Sequence, residues 1–155
     1  MPFSTPPCIS VTRRSRASCG SSASDPIMPS MQLKLLSEPF GVLKLTPPQP
    51  FPAWLGQASV FFIAQTEDEY SIICPQRIIP LDFDYSPDWR CLRANGNLVF
   101  DEVGIVASLS KPLADAGISL FVISTHDRDY VLVQTDRLPT ALAIYRDLGF
   151  SIIEE

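Results

Sequence analysis

Ser59-Val-Phe-Phe-Ile-Ala-Gln-Thr-Glu-Asp-Glu-Tyr70-Ser-Ile-Ile-Cys74 and Ser119-Leu-Phe-Val-Ile-Ser-Thr-His-Asp-Arg-Asp-Tyr130-Val-Leu-Val-Gln134 are two versions of one pattern. At an offset of sixty residues, Ser59 aligns with Ser119, Phe61 with Phe121, Ile63 with Ile123 and Tyr70 with Tyr130. Glu69 and Asp129 align as acids. Each segment is an apolar run, a polar turn and a second apolar run, which reads as a β-hairpin. Matching hairpins at one fixed offset point to a duplicated unit.

Working outward, the second copy is complete. Trp89–Ala94 reads as a short strand, and Asn95-Gly96-Asn97 as a turn. Residues 102–116 read as a helix, because Ile105, Leu109, Leu113 and Ala116 share one face. Gly117 stands where a left-handed cap belongs. Pro112 is expected to kink this helix or to restart it with Ser110 as the cap. After the 119–134 hairpin, a second helix is expected over about 138–148, with Pro139 in its first turn and Gly149 beyond its end. Phe150–Ile153 supplies a last strand.

The order strand, helix, strand, strand, helix, strand is the split βαβ arrangement of a ferredoxin-like α+β fold, with helices on one face of an antiparallel sheet. The first copy is abbreviated. Gln32–Leu36 and Gly41–Leu45 are strand-like, the four prolines of Pro47–Pro52 enforce a loop, and Ala53–Gln57 has room for one helical turn. Ile78, Ile79 and Leu81 are candidates for a further strand. The expected division is therefore a leading segment 1–30, a shortened unit 31–87 and a complete unit 88–155.

Residues 1–30 are rich in Ser and Pro, carry Arg13, Arg14 and Arg16, and have no acid before Asp25. They lack periodicity and are expected to be disordered, with a mitochondrial transit segment or translation from Met31 as the alternatives. The chain carries a net charge of -5, and its basic excess sits in that leading segment. The remainder has no basic stripe for phosphates, so nucleic acid is not an expected partner. Apolar stretches such as Ala58–Ala64 are too short to span a bilayer. Cys8, Cys19, Cys74 and Cys91 form no CxxC pair and have one histidine to join them, so neither metal nor cofactor is expected. Reduced thiols and the absence of an apolar signal region fit a cytoplasmic setting.

Catalytic patterns are missing. His126 lies in a hairpin turn without a GxSxG elbow, and neither a phosphate loop nor a GxGxxG follows a strand. The cluster Phe100-Asp101-Glu102-Val103-Gly104-Ile105 carries more chemistry. It falls where a strand gives way to a helix, and a helix start offers unpaired N–H donors and a partial positive potential. A carboxylate ligand suits that place. Gly104 permits close approach, and Asp101 and Glu102 add acceptors for an ammonium or guanidinium group. A zwitterionic amino acid needs both kinds of group. Asp101 also suits a plain N-cap, and Asp129 a self-bonded turn.

The run Phe100-Asp-Glu-Val-Gly-Ile-Val-Ala107, then Pro112-Leu-Ala114, Ile118-Ser119 and Ile123-Ser-Thr125 through Asp129, resembles the ACT-domain family of the CASTOR-type cytosolic arginine sensors. It is similar also to small bacterial proteins with two such units. The resemblance covers residues 31–155 and implies tandem ACT units with an amino acid held between two of them. It implies that Asp101, Glu102, Val103, Gly104 and Ile105 line the pocket, with Thr125 and Asp129 from the neighbouring hairpin. Asp129 matches an acid on which arginine binding in the family depends, and a charge-assisted bond is its physical role. Arg128 stands at a position that is apolar in the sensors.

These readings make the chain a non-enzymatic amino-acid sensor, with arginine or another free amino acid as ligand, working as a homodimer or another ACT-mediated oligomer. The alternative is a protein-interaction module with no small-molecule ligand. A kinase fragment with an ACT tail is the enzyme reading, and it lacks any phosphate-binding segment.

Overall fold

The structure is a computed structural model that describes residues 31–95 and 103–154. The expectation for residues 1–30 and the turn at Gly96-Asn97 lie outside the described residues. Strands β1 (Gln32–Leu45), β2 (Phe62–Gln65), β3 (Tyr70–Pro75) and β4 (Ser86–Asn95) come first. Helix α1 (Ile105–Asp115), strands β5 (Leu120–Ser124) and β6 (Asp129–Gln134), helix α2 (Leu138–Asp147) and strand β7 (Ser151–Glu154) follow. Short 3-10 turns occupy Ala53–Gln57, Gln76–Ile78 and Thr135–Arg137. The strands make one sheet in the order β2-β3-β1-β4-β6-β5, with β7 also on β1.

Two stretches expected as separate strands, Gln32–Leu36 and Gly41–Leu45, are one strand of fourteen residues. The apolar alternation continues across the intervening polar residues. Leu33, Leu35, Leu43 and Leu45 point to one face, and Leu36, Phe40 and Val42 to the other. Between Leu35 and Pro39 the pairing with β4 shifts register, and such a bulge bends a strand without ending it. Pro39, which has no N–H to donate, sits at this irregularity, where a strand tolerates it.

The bend gives β1 two jobs. Its second half pairs with β3 over Phe40–Leu45, so the first unit reads β4-β1-β3-β2. Its first half, Gln32–Leu35, lies between β4 and β7, antiparallel to one and parallel to the other. Strand β4 likewise closes the first unit and opens the second. The two units are thus woven through shared strands. Ile78 and Ile79 reach the core from a 3-10 turn rather than from a strand, and Leu81 is fully exposed.

The helices α1 and α2 lie on one face, over Leu33, Leu92, Val131 and Val133. Leu109 and Leu113 of α1 and Ala141 and Tyr145 of α2 are fully buried there. Each buried aliphatic side chain of this kind stabilises the fold by roughly 1.5–3 kcal/mol. Tyr145 Oη donates to the Leu109 carbonyl at 2.8 Å and ties the two helices together. Helix α1 runs through Pro112 without restarting, because Leu109 and Leu113 anchor it on both sides of the proline. Ser110 is mid-helix rather than a cap, its hydroxyl donating to the Val106 carbonyl at 2.7 Å. Gly117 and Gly149 end the helices with φ of 68° and 88°.

The opposite face curls onto itself. Phe62 of the first unit meets Tyr130 of the second with ring centroids 4.8 Å apart, and Trp89 meets Phe121 at the same distance. Leu36, Phe40, Cys91 and Leu132 are buried inside this curl. A third cluster, around Leu43, Leu55 and Ile72, fills the outer face of the first unit. Among the described residues no helix is long and apolar enough to cross a membrane.

Gly41 leaves no room for a side chain. A Cβ there would collide with Ile79 Cδ1 and lie 2.7 Å from Tyr85 Cδ2. Gly41→Ala is expected to cost about 1–3 kcal/mol by overpacking, read as a lower urea midpoint with an unchanged slope.

Candidate functional site

Strand β4 ends where β6 begins, since Arg93 of one faces Tyr130 of the other. The chain leaves β4 at Asn95 and enters α1 at Ile105, so the helix start and the β5–β6 hairpin turn serve the same end of the second unit. Ile105 is buried and belongs to the cluster that holds Val131. This contact fixes the first turn of α1 against the sheet.

The N-cap of α1 is Gly104, with φ 91° and ψ 6°. A Cβ at Gly104 would meet nothing within 4 Å, so backbone conformation rather than crowding selects glycine there. Among the described residues no side chain caps this helix, and its first turn holds no acid. The first intrahelical bond runs from the Ser108 N–H to the Gly104 carbonyl at 2.8 Å. The preceding amides of the first turn are donors without an intrahelical partner. Val103 stands 97% exposed beside them. Asp101 and Glu102 precede Val103 in sequence and lie outside the described residues.

Asp129 opens β6 opposite Ser124. It is 8% exposed and is the one buried charged side chain among the described residues. Alternation puts it on the face of Val131 and Val133, which is the helix face. No hydrogen bond or ion pair among the described residues reaches its carboxylate. Among the described residues the fully buried side-chain polar atom left without a partner is Arg90 Nε, so the Asp129 oxygens keep some contact with solvent at the margin of this buried site.

The turn before it is built by Thr125. The Thr125 N–H and hydroxyl both donate to the Arg128 carbonyl, at 2.8 and 2.9 Å, and the Thr125 hydroxyl accepts the Arg128 N–H at 3.2 Å. This hydroxyl is therefore occupied within the turn that delivers Asp129. The Arg128 guanidinium donates to the Asp127 carbonyl at 2.7 Å. His126 is exposed, with Nδ1 2.6 Å from Asp127 Oδ1. Of the residues expected from sequence, the structure brings Gly104, Ile105, Thr125 and Asp129 to one end of the unit, with Val103 on its surface.

Other reactive groups lie elsewhere. Burial pushes the Cys74 thiol up to about 12. Burial does the same to Cys91, only partly offset by Arg93. Neither is a thiolate near neutral pH, so neither is a ready nucleophile. Among the described residues no group of three or more His, Cys, Asp or Glu converges to hold a metal. A shallow groove of about 430 Å³ runs beside α1, lined by Ala107, Ser108, Lys111, Pro112, Asp115 and Leu148, and does not include Asp129.

The family model described as the ACT domain matches residues 84–147, and a second model, described as an N-terminal domain, matches residues 38–82. The crystal structure of protein Atu0741 from Agobacterium tumefaciens is 36% identical, with a TM-score of 0.77, over 83% of this chain and 96% of that one. The human protein named cytosolic arginine sensor for mTORC1 subunit 1 is 44% identical over 57 residues, which are 36% of this chain and 17% of the sensor. The chain thus matches only a small part of that curated relative. Aspartate kinase from Clostridium acetobutylicum shares the fold at 13% identity and a TM-score of 0.57, over 77% of this chain and 34% of the kinase.

Two outcomes follow from this geometry. The Asp129 carboxylate bonds no described residue, so Asp129→Ala is expected to keep or raise the melting temperature, whereas losing a satisfied buried pair costs roughly 3–5 kcal/mol. The Cys74 and Cys91 thiols are expected to resist iodoacetamide at mildly alkaline pH in the folded protein. They react once urea exposes them, as mass spectrometry of the alkylated chain will record.

Proposed function

We propose that this chain, which belongs to the ACT-domain family, is a non-catalytic regulatory protein that binds a free amino acid between the start of α1 and Asp129. The observation that carries this reading is Asp129, a buried residue on the helix face whose carboxylate has no partner among the described residues. A ligand ammonium or guanidinium would supply the missing countercharge through a short charge-assisted bond. The first-turn amides of α1 suit the ligand's carboxylate, and the bare backbone at Gly104 lets it come close.

In this reading Val103 and Ile105 flank the donors, and Asp101 and Glu102 extend the acidic wall. Thr125 holds the turn that places Asp129. Arginine is the first ligand to try, given the similarity to a protein named an arginine sensor. Its guanidinium carries five donors for carboxylates. Regulation requires that the ligand favour one of two states, and we place that change in self-association as a homodimer or in a partner surface, in the cytoplasm. The division into a shortened unit 31–87 and a complete unit 88–155 remains part of this proposal.

A second reading is a protein-interaction module without a small-molecule ligand. The apolar groove beside α1, with Leu148 half exposed, is the observation that favours it.

Thermal shifts against the twenty amino acids separate the two. Binding to the folded state alone adds about 2.7 kcal/mol at a hundredfold excess over Kd. The sensor reading expects one amino acid, or a related few, to raise the melting temperature, and expects Asp129→Ala to lose the response while staying folded. A flat response at millimolar concentrations would leave the interaction module.

A further inference from the structure

The two hairpins correspond residue by residue at an offset of 59. Gln65 pairs with Tyr70 across one turn, and Ser124 with Asp129 across the other. Both turns hold four residues and share their bonds. The Thr66 N–H donates to the Glu69 carbonyl at 2.9 Å, as the Thr125 N–H does to that of Arg128 at 2.8 Å. Each threonine hydroxyl accepts the N–H three residues on, at 3.1 and 3.2 Å.

The correspondence extends past the hairpins. Gln76 and Thr135, also 59 apart, grip the same residue of the shared strand. The Asp88 N–H donates to Gln76 Oε1 at 3.0 Å, and Thr135 Oγ1 donates to the Asp88 carbonyl at 2.7 Å.

The position of Asp129 in the second unit is therefore that of Tyr70 in the first. Both side chains are buried on the outer face of the sheet, Tyr70 at 4% exposure. The Tyr70 ring packs in one cluster with Leu55 and Ile72. The helix differs as well. Between β1 and β2 the first unit has the five-residue 3-10 turn Ala53–Gln57, where the second unit has the eleven-residue helix α1. Residues 46–49, between β1 and that turn, lie in the proline loop. Pro47 and Pro48 have no N–H to offer there. An anion would find no α-helix start in the described connection from β1 to β2.

We infer that each chain binds one amino acid and not two, because in the first unit the aromatic ring of Tyr70 occupies the place that the ligand takes in the second. This rests on the binding reading above and adds the number of sites and the residue that sets it. Tyr70 is a built-in occupant, so the first unit serves as a permanent brace beside a single responsive site.

The test uses the full chain. The amino acid giving the largest thermal shift among the twenty is titrated by calorimetry into the wild type, Asp129→Ala and Tyr70→Phe. The expected result is one mole bound per mole of chain, lost in Asp129→Ala and retained with the same stoichiometry in Tyr70→Phe. Two moles per chain, or unchanged binding in Asp129→Ala, would overturn the inference; the former leaves the sensor reading standing. No response to any amino acid would sink both. A ligand-free measurement stands beside these. Tyr70→Ala is expected to lower the melting temperature or to fail to fold, while Asp129→Ala does neither. A Tyr70→Ala chain as stable as the wild type would show that the ring fills nothing, and would overturn the inference equally.

Discussion

Strands β1 and β4 lie antiparallel through the middle of the sheet, and the remaining elements are placed by that pairing. Each strand is long enough to serve two units. Neither unit could keep its sheet if the other were removed, because β1 belongs to one by its second half and to the other by its first. The bulge between Leu35 and Pro39 makes this sharing feasible. It bends β1 so that one half backs the helices and the other backs the 3-10 turns. The curl that follows brings Phe62 against Tyr130 and seals the inner face.

The same construction explains the unequal coverage of the outer face. Where α1 and α2 lie over the sheet, Leu33, Leu92 and Val133 are fully buried. Where the first unit has only short turns, Trp54, Phe61, Phe83 and Tyr85 complete the cover as partly buried side chains. Aromatic rings can do this because each hides a large apolar area for little conformational freedom. The first unit thus trades helices for rings, and Tyr70 belongs to that exchange. The second unit keeps a helix whose first turn has no side-chain cap among the described residues, with a buried acid at the same end.

Much of the architecture was legible in the chain. The doubled hairpin, the apolar faces of α1 and α2, Gly117 and Gly149 as helix ends, and the abbreviated first copy all follow from short-range pattern. The repeat was readable only to within one residue. Identities align it at sixty, whereas the ladders align it at 59. One residue in a strand exchanges the two faces, so Tyr70 matches Asp129 and not Tyr130. Glu69 correspondingly matches Arg128. Identity between aromatic residues misled here because both faces of these strands are apolar.

Composition and periodicity determined the fold class, and the resemblance carried by the run from Phe100 through Asp129 named the acids and the glycine of the proposed site. The fold class is legible because local geometry at a helix start or a hairpin turn is set by the few residues that form it. Tertiary structure alone decided that Asp129 is buried without a protein partner among the described residues, that Thr125 spends its hydroxyl within its turn, and that β1 passes between β4 and β7. Those facts depend on which distant strands meet and on which face is covered. A linear pattern carries no record of either, since burial and pairing are properties of the assembled sheet.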